Sequence, residues 1–472
     1  MQTESNWKQG EIVEMEIASL SDTGDGVGRV DNRVVFVPNT VPGDRLRVRL
    51  LYVKPQFAKG AIEELLEPSP HGIRPACIVA DKCGGCQWQH VRYDYQQQAK
   101  QTLVTEALSR IGKFADPPVS TIIGAPQSFG YRNKVSYPLE LSDIGIFKAG
   151  YYQKGTHKLI NLNQCPVQDE RLNPLLAHLK EEFDLAKWSA YDEQVHKGLL
   201  RHLCLRMGQR TGEILITLVA TKRRLPGLAT HSQNWLNQYP GVVGVCLNVN
   251  PDKTNRIFGK QTLSIVGQPY VREQFAGLTF HLGADTFFQV NTEAAEALLE
   301  MILQHLDLQG TERVVDAYCG IGTFTLPIAR QVQQVTGIEV QAEAIKQARE
   351  NAQLNDIENV MFQVGKVEDI LPQLDHQPDI VLLDPPRQGC KPEVLQGLLS
   401  LRPARLVYVS CKPATLARDL QILCESGAYR LTRVQPVDFF PQTAHVEAVA
   451  FLMKNEYSAF RFADMNALGN RE

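Results

Sequence analysis

The pattern of apolar and polar positions changes character twice along the chain. Up to about residue 65 it alternates with a period of two, as in I-V-E-M-E-I (12–17) and D-R-L-R-V-R-L (44–50), the mark of half-buried strands. Turn signals T-G-D-G (23–26) and V-P-G-D (41–44) divide this stretch into strands expected at 11–18, 26–30, 33–38, 45–53 and 57–65. Five short strands in so few residues suit a small closed barrel of the OB type. E-P-S-P-H-G (67–72) then reads as a linker, followed by a cysteine-bearing loop and a helical stretch over 93–111. From about 122 to 290 the pattern is strand-rich, with strands expected at 149–162, 200–207, 213–221 and 242–249 and a helix at 172–183. From about 291 to 454 strands and helices alternate, with strands at 313–317, 334–340, 360–364, 379–383 and 405–410 and two final apolar strands. Regular βαβ alternation implies a mostly parallel sheet covered on both faces. The domains expected are therefore 1–65, 66–290 and 291–454, with a patternless tail at 455–472, in a multidomain α/β chain.

Composition narrows the class of protein. At 472 residues, and about 150 per domain, three domains are reasonable. The 49 Lys and Arg against 52 Asp and Glu give a net charge of −3, so overall charge gives no reason to expect nucleic-acid binding. With 43% hydrophobic and 21% charged residues the chain can bury substantial cores. The first ten residues hold no apolar segment and the longest apolar runs are too short to cross a bilayer, so a cytoplasmic protein without a signal peptide is expected. Ten cysteines are too sparse for a disulfide scaffold, and clustered ones point to metal binding or catalysis.

Three segments place chemistry at one sheet edge. D-A-Y-C-G-I-G-T-F (316–324) follows a strand and opens a helix, a turn where glycines let a ligand approach the backbone. Thr325 stands where the third glycine of the pyrophosphate fingerprint would fall, and Glu339, 23 residues after Asp316, ends the next strand where it can accept from a ribose diol. That combination suits S-adenosylmethionine, which has no pyrophosphate. D-P-P-R-Q-G (384–389) halts a strand, because proline cannot continue the ladder, and sets Asp384 at the carboxyl edge. Cys411 follows the next strand at the start of a helix, whose amino-terminus is expected to favour the thiolate. Separately, Cys77-x5-Cys83-x2-Cys86 and Cys165 form a metal-ligand set whose spacing admits zinc or a 4Fe–4S cluster. Tyr131-Arg132-Asn133-Lys134, Arg201-His202 with Arg206, and the alternating Arg45, Arg47 and Arg49 are candidate RNA-contact patches.

D-A-Y-C-G-I-G-T-F, L-L-D-P-P-R-Q-G, V-Y-V-S-C-K-P-A-T-L-A-R-D-L, H-V-E-A-V, F-F-Q-V-N and F-G-Y-R-N-K together resemble the RNA 5-methyluridine methyltransferase family across most of the chain. The amino-terminal barrel resembles the TRAM domain, an RNA-binding module. The resemblance implies a TRAM barrel, a β-rich central domain with an iron–sulfur cluster, and a Rossmann-like S-adenosylmethionine methyltransferase domain. It implies methylation of uridine C5 in structured RNA, with 23S ribosomal RNA favoured, transfer RNA the alternative substrate, and a monomeric enzyme free of membrane. Gln289, Tyr318, Glu339 and Asp384 would bind S-adenosylmethionine, Cys411 would be the nucleophile and Glu447 the general base. Cys77, Cys83, Cys86 and Cys165 would hold the 4Fe–4S cluster. Thr323 departs from the Asn of some members, Cys319 and Cys390 match no nucleophile position, and Phe287 is a candidate either for stacking on the target base or for the core. A non-catalytic iron–sulfur RNA-binding protein is the reading from another class, opposed by Asp384, Cys411 and Glu447. Glu447 can serve Cys411, 36 residues earlier, only if their strands are neighbours.

Overall fold

The structure is a computed structural model that describes residues 7–455, so the tail expected at 455–472 lies outside the described residues from 456 onward. The chain divides into two compact units, one of Met1–Lys100, Pro126–Val271 and Phe440–His445, the other of Gln101–Ala125, Arg272–Phe439 and Val446–Glu472.

In the first unit the alternating segment closes into a barrel. Strands β1 (Ile12–Leu20), β2 (Gly26–Val30), β3 (Arg33–Val37), β4 (Arg45–Val53) and β5 (Phe57–Glu67) run in the order β1-β2-β3-β5-β4. Each neighbouring pair is antiparallel except β3–β5. Period-two alternation turns Ile17, Val35, Val37, Leu46, Val48 and Leu50 inward, all fully buried, while Arg45 and Arg47 point out. The loop after the barrel is tied back by the Trp88 indole, which donates to Gly24 O at 3.1 Å.

Helix α1 (Tyr93–Arg110) contains the first division between the units. Beyond it β6 (Lys134–Leu141), β7 (Phe147–Tyr152), β8 (Leu159–Asn161), β9 (Leu200–Met207), β10 (Ile214–Ala220), β11 (Val242–Val249) and β12 (Gln261–Gly267) form a seven-stranded sheet ordered β12-β11-β10-β9-β6-β7-β8. Helices α2 (Asn173–Leu185) and α3 (Leu228–Gln238) cover it, α2 burying Leu175, Leu176, Leu179 and Phe183. The strand expected over 149–162 is instead the β7–β8 hairpin. Gly155, at φ +70°, turns the chain, and Gln153 N donates to Lys158 O across the turn at 2.8 Å. Helix α3 was not legible as a helix because its apolar face is sparse: Leu228, Ser232 and Trp235 alone are buried along it.

The second unit holds the alternating α/β segment. A hairpin of β13 (Tyr270–Phe275) and β14 (Leu278–Gly283) leads to α4 (Thr292–Leu306), β15 (Arg313–Ala317), α5 (Thr325–Ala329), β16 (Gln334–Glu339), α6 (Ala342–Leu354) and β17 (Val360–Val364). Then come α7 (Val367–Ile370), β18 (Ile380–Leu383), α8 (Pro392–Leu401), β19 (Arg405–Ser410), α9 (Pro413–Glu425), β20 (Tyr429–Val437) and β21 (Glu447–Lys454). The sheet order is β17-β16-β15-β18-β19-β21-β20. Strands β15 to β19 are parallel, and β21 and then β20 are added antiparallel at one side. The chain leaves β15 toward β16 on one side and returns as β18 on the other, which opens a crevice at the carboxyl ends of β15 and β18. Among the described residues, no helix is long and apolar enough to cross a membrane.

Candidate active site and four-cysteine recess

The β15–β18 crevice carries the first cluster of candidate residues. Phe287, Gln289, Asp316, Tyr318, Thr323 and Asp384 line a pocket of about 360 Å³, partly open to solvent. Two features of the local chain shape it. Tyr318 sits at φ +73°, a left-handed backbone that a non-glycine residue adopts only under constraint, and Tyr318 N and Cys319 N both donate to Ile338 O at 2.9 and 3.0 Å. On the other wall Asn291 caps α4, its Oδ1 accepting from Ala294 N at 3.2 Å, while Phe288 is buried and Phe287 is 69% exposed. Phe287 therefore belongs to the pocket mouth and not to the core.

Burial sets the electrostatics here. Asp316 accepts from Thr325 Oγ1 at 2.5 Å, yet burial, with Asp384 and Glu339 near it, pushes its carboxyl up to about 7. Burial pushes Asp384 to about 7 as well. Glu339 stands at the end of β16, partly exposed, accepting from Gln341 N at 2.9 Å. It lies close enough to affect Asp316 but is not in the lining of the pocket.

The neighbour relation that Glu447 required is present. Strand β21 pairs antiparallel with β19, Ser410 opposite Ala448, so the next position on each strand sets Cys411 against Glu447. An antiparallel strand begins where its neighbour ends, and Glu447, the first residue of β21, thereby reaches the ligand edge. Glu447 is 5% exposed, and burial with Asp384 nearby pushes it up to about 8, Arg387 pulling it back. Cys411 departs from the sequence expectation. Its thiol is raised, first by burial and then by Glu447 and Asp384, against a lowering by Arg387. Helix α9 starts two residues later, at Pro413.

The sequence reading assigned no role to Asp316, Arg387 or Asp419. The fully buried Asp419 accepts from Tyr408 Oη at 2.6 Å and from Cys390 N at 2.9 Å, and Arg418 donates to Gln388 O at 3.0 Å. Helix α9 thus grips the loop that carries Asp384 and Arg387. The signal available was only the motif spacing D-P-P-R-Q-G-C and R-D. Cys319 and Cys390 are buried, 5% and 4% exposed, and burial raises both thiols, as suits packing.

In the other unit Cys77, Cys83, Cys86 and Cys165 are free and line one recess, with Arg132 and Tyr151 among its walls. Short backbone ties hold the loop: Cys83 N donates to Val79 O at 2.8 Å and Gly84 N to Tyr152 O at 3.0 Å. Cys77 N donates to Gln89 Oε1 and Cys165 N to Asn173 Oδ1, both at 3.0 Å. Burial raises the thiols of Cys83, Cys86 and Cys165, Cys86 to about 12. Among the described residues no three His, Cys, Asp or Glu are arranged to hold a single metal ion.

The candidate RNA patches fare differently. Tyr131, Asn133, Arg201 and Arg206 are buried, and His202 is pushed down to about 4 by burial. Arg201 donates to the carbonyls of Asn250, Asp252 and Thr254 at 2.6–3.1 Å and lies over the Tyr191 ring, which makes it a brace for that loop and not a phosphate contact. On the barrel Arg45 pairs with Glu67 at 2.7 Å, Arg47 with Glu64 at 2.9 Å and Arg49 with Glu63 at 2.8 Å, all exposed, so this stripe is charge-compensated.

Comparison with known proteins agrees with this architecture. The family model described as tRNA (Uracil-5-)-methyltransferase matches residues 92–455, and that of the TRAM domain matches residues 6–62. An uncharacterized RNA methyltransferase of Nostoc sp. is 60% identical over 96% of this chain and 99% of its own, and one of Synechocystis sp. is 53% identical over 94% and 96%. The crystal structure of Pyrococcus abyssi tRNA (uracil-54, C5)-methyltransferase in complex with S-adenosyl-L-homocysteine superposes with a TM-score of 0.74 at 27% identity, covering 93% of this chain and all of that one. With a matching TRAM barrel, a matching α/β domain and near full-length relatives, this chain belongs to the RNA uracil-5 methyltransferase family.

Proposed function

We propose that this enzyme methylates C5 of a uridine in structured RNA through a covalent bond between Cys411 and C6 of the ring. The observation that carries the reading is the β19–β21 register, which sets Glu447 beside Cys411 at the edge where Gln289 and Asp384 line the pocket. S-adenosylmethionine, when bound, supplies the electrophilic methyl group. Gln289, Tyr318, Glu339 and Asp384 would hold it, and a pocket walled by Asp316 and Asp384 suits its cationic sulfonium and ammonium groups.

The remaining work falls to Cys411, Glu447 and Arg387. C5 of uracil is a poor nucleophile until a thiolate adds at C6 and makes the ring an enolate. Cys411 therefore releases its proton to solvent, and the thiolate forms the S–C6 bond as the C5–C6 π electrons move into the enolate. Arg387 favours that step, being the cation whose field lowers both the thiol and the Glu447 carboxyl. Once C5 carries its methyl group, ionised Glu447 takes the C5 proton, the S–C6 bond breaks, and the Cys411 thiolate is regenerated. Burial of Glu447 matches a base poised near neutral pH. The target uridine must leave its stack, at roughly a few kcal/mol, and Phe287 at the pocket mouth offers a face to receive it.

In this reading 1–65 is the RNA-binding barrel, 66–290 a second RNA-binding domain, and 291–454 the methyltransferase domain of a cytoplasmic monomer. The four cysteines are read as ligands of a 4Fe–4S cluster. The lining of one recess by all four cysteines supports this reading, since four thiolates are the usual ligand set of such a cluster. Such a cluster would staple the 77–86 loop to the segment at Cys165. Ribosomal 23S RNA is the substrate favoured; transfer RNA is the second reading, favoured by the family model and by the solved archaeal relative.

The decisive experiment maps 5-methyluridine in ribosomal and transfer RNA from cells with and without the gene. Loss from 23S RNA alone supports the reading, loss from transfer RNA alone moves it to the second, and loss from neither rejects uridine C5 as the target.

A further inference from the structure

The recess of the four cysteines contains a charge whose partner is missing. Arg132 is the one charged side chain among the described residues lining it, and no carboxylate shares the wall. Its Nε is cut off from solvent and makes no hydrogen bond within the recess, and the neighbour that acts on it most strongly, the Tyr151 hydroxyl, carries no charge. The groups that act most strongly on the guanidinium are Tyr151, Tyr131 and Cys86, which are neutral in their ordinary protonated forms. Arg132 does not sit there by default of a loose chain. Its N donates to Val167 O at 3.0 Å and its O accepts from Asp169 N at 3.2 Å, which pins it alongside the segment that leaves Cys165. Arg132 is half-buried, with its Nε cut off from solvent, and a guanidinium drawn this far into the protein without a carboxylate beside it is unfavourable, so the recess suits a negative occupant.

We propose that Arg132 is the built-in countercharge of an anionic group ligated by Cys77, Cys83, Cys86 and Cys165, and that it sets that group's reduction potential. The inference rests on the iron–sulfur reading of these cysteines and goes beyond it by giving the recess an electrostatic design. A cluster held by four thiolates is negative, and more so when it gains an electron. A fixed cation nearby therefore stabilises the reduced state more than the oxidised one, raising the potential, and opposes the loss of electrons that precedes breakdown in air. Arg132 is on this account a positioning and tuning residue; it is not a ligand.

The test uses the full chain purified anaerobically, as wild type, Arg132→Gln and Arg132→Lys, with iron per chain, the midpoint potential and the rate of iron loss in air as readouts. In Arg132→Gln the ratio of oxidised to reduced cluster at a fixed potential should rise at least tenfold, a shift of about 59 mV to more negative values for a one-electron couple. Iron should be lost several-fold faster, and Arg132→Lys should stay near wild type. Should Arg132→Gln take up no iron while Arg132→Lys does, the requirement for charge is confirmed in a stronger form. Full iron in Arg132→Gln at the wild-type potential overturns the inference while leaving the cluster in place, and loss of iron from both variants reduces Arg132 to packing. A wild type that carries zinc or no metal removes the cluster itself, and this inference with it.

Discussion

Replacing Glu447 by Gln separates what this residue does for stability from what it does for chemistry. Folding holds its carboxyl at about 8 instead of 4.5, because burial and Asp384 disfavour the charge. Between these two values the unfolded chain has lost the proton and the folded chain keeps it, so the native state loses stability as pH rises from 4.5 to 8, after which the loss is complete. At 1.36 kcal/mol per pH unit the full window amounts to roughly 5 kcal/mol, and at pH 7 to roughly 3 kcal/mol. Gln has the same shape and no charge to suppress, so Glu447→Gln should be more stable than wild type, by a margin that grows with pH up to about 8. Urea titrations at pH 5, 7 and 8.5 measure it. Catalysis should move the other way. Loss of a general base costs ~10²–10⁴-fold, here in the release step, so the variant should accumulate a methylated protein–RNA adduct on a denaturing gel with ordinary uridine RNA. A variant that turns over near the wild-type rate without adduct, with a stability curve parallel to wild type, would refute both the base assignment and the burial argument. Neither adduct nor product would put the residue at an earlier step.

Other outcomes follow from the same geometry. Cys411→Ala should abolish methylation while retaining S-adenosylhomocysteine binding by calorimetry, and RNA containing 5-fluorouridine should trap the wild type through a peptide containing Cys411; trapping through Cys319 or Cys390 would overturn the assignment. Because Asp316 and Asp384 are both held near 7, affinity for the cationic cofactor should rise with pH through about 7, by at most tenfold per unit for each carboxylate, and Asp384→Asn should flatten the profile. Gly389→Ala should destabilise by about 1–3 kcal/mol in chemical denaturation and lower activity, since the residue sits at φ +78° and a Cβ there would stand 2.5 Å from Asp419 Oδ2.

Much of this site was legible because its residues belong to strand ends. Tyr318, Asp384 and Cys411 fall just past the end of a strand, where a glycine or proline follows closely, and a parallel sheet gathers such stops on one edge. The adjacency of Glu447 and Cys411 was not legible, because it depends on β21 inserting between β19 and β20, and strand order is decided by packing across dozens of residues. The thiol of Cys411 departs from expectation because local reasoning saw a helix start and not the burial, nor the two carboxylates, that tertiary structure imposes on it. Arg201 and Arg206 read as candidate RNA contacts for a related reason: the carbonyls that engage Arg201 lie at Asn250, Asp252 and Thr254, out of view of any local pattern. The barrel was easiest, because strict alternation leaves one choice of inner face, and its strands lie within two residues of expectation at either end.

The antiparallel hairpin at the edge of the methyltransferase sheet has a consequence for the nascent protein. On the proposed roles, translation delivers Asp384 and Cys411 first and Glu447 only with β21. On those roles a chain that ends between Cys411 and Glu447 holds the residue proposed to attach RNA and lacks the one proposed to release it. In the finished sheet β21 is wedged between β19 and β20, hydrogen-bonded on both sides, so the strand that supplies release is also one that locks the edge closed. On the proposed roles, the strand that completes this edge of the sheet is also the one that brings the releasing base.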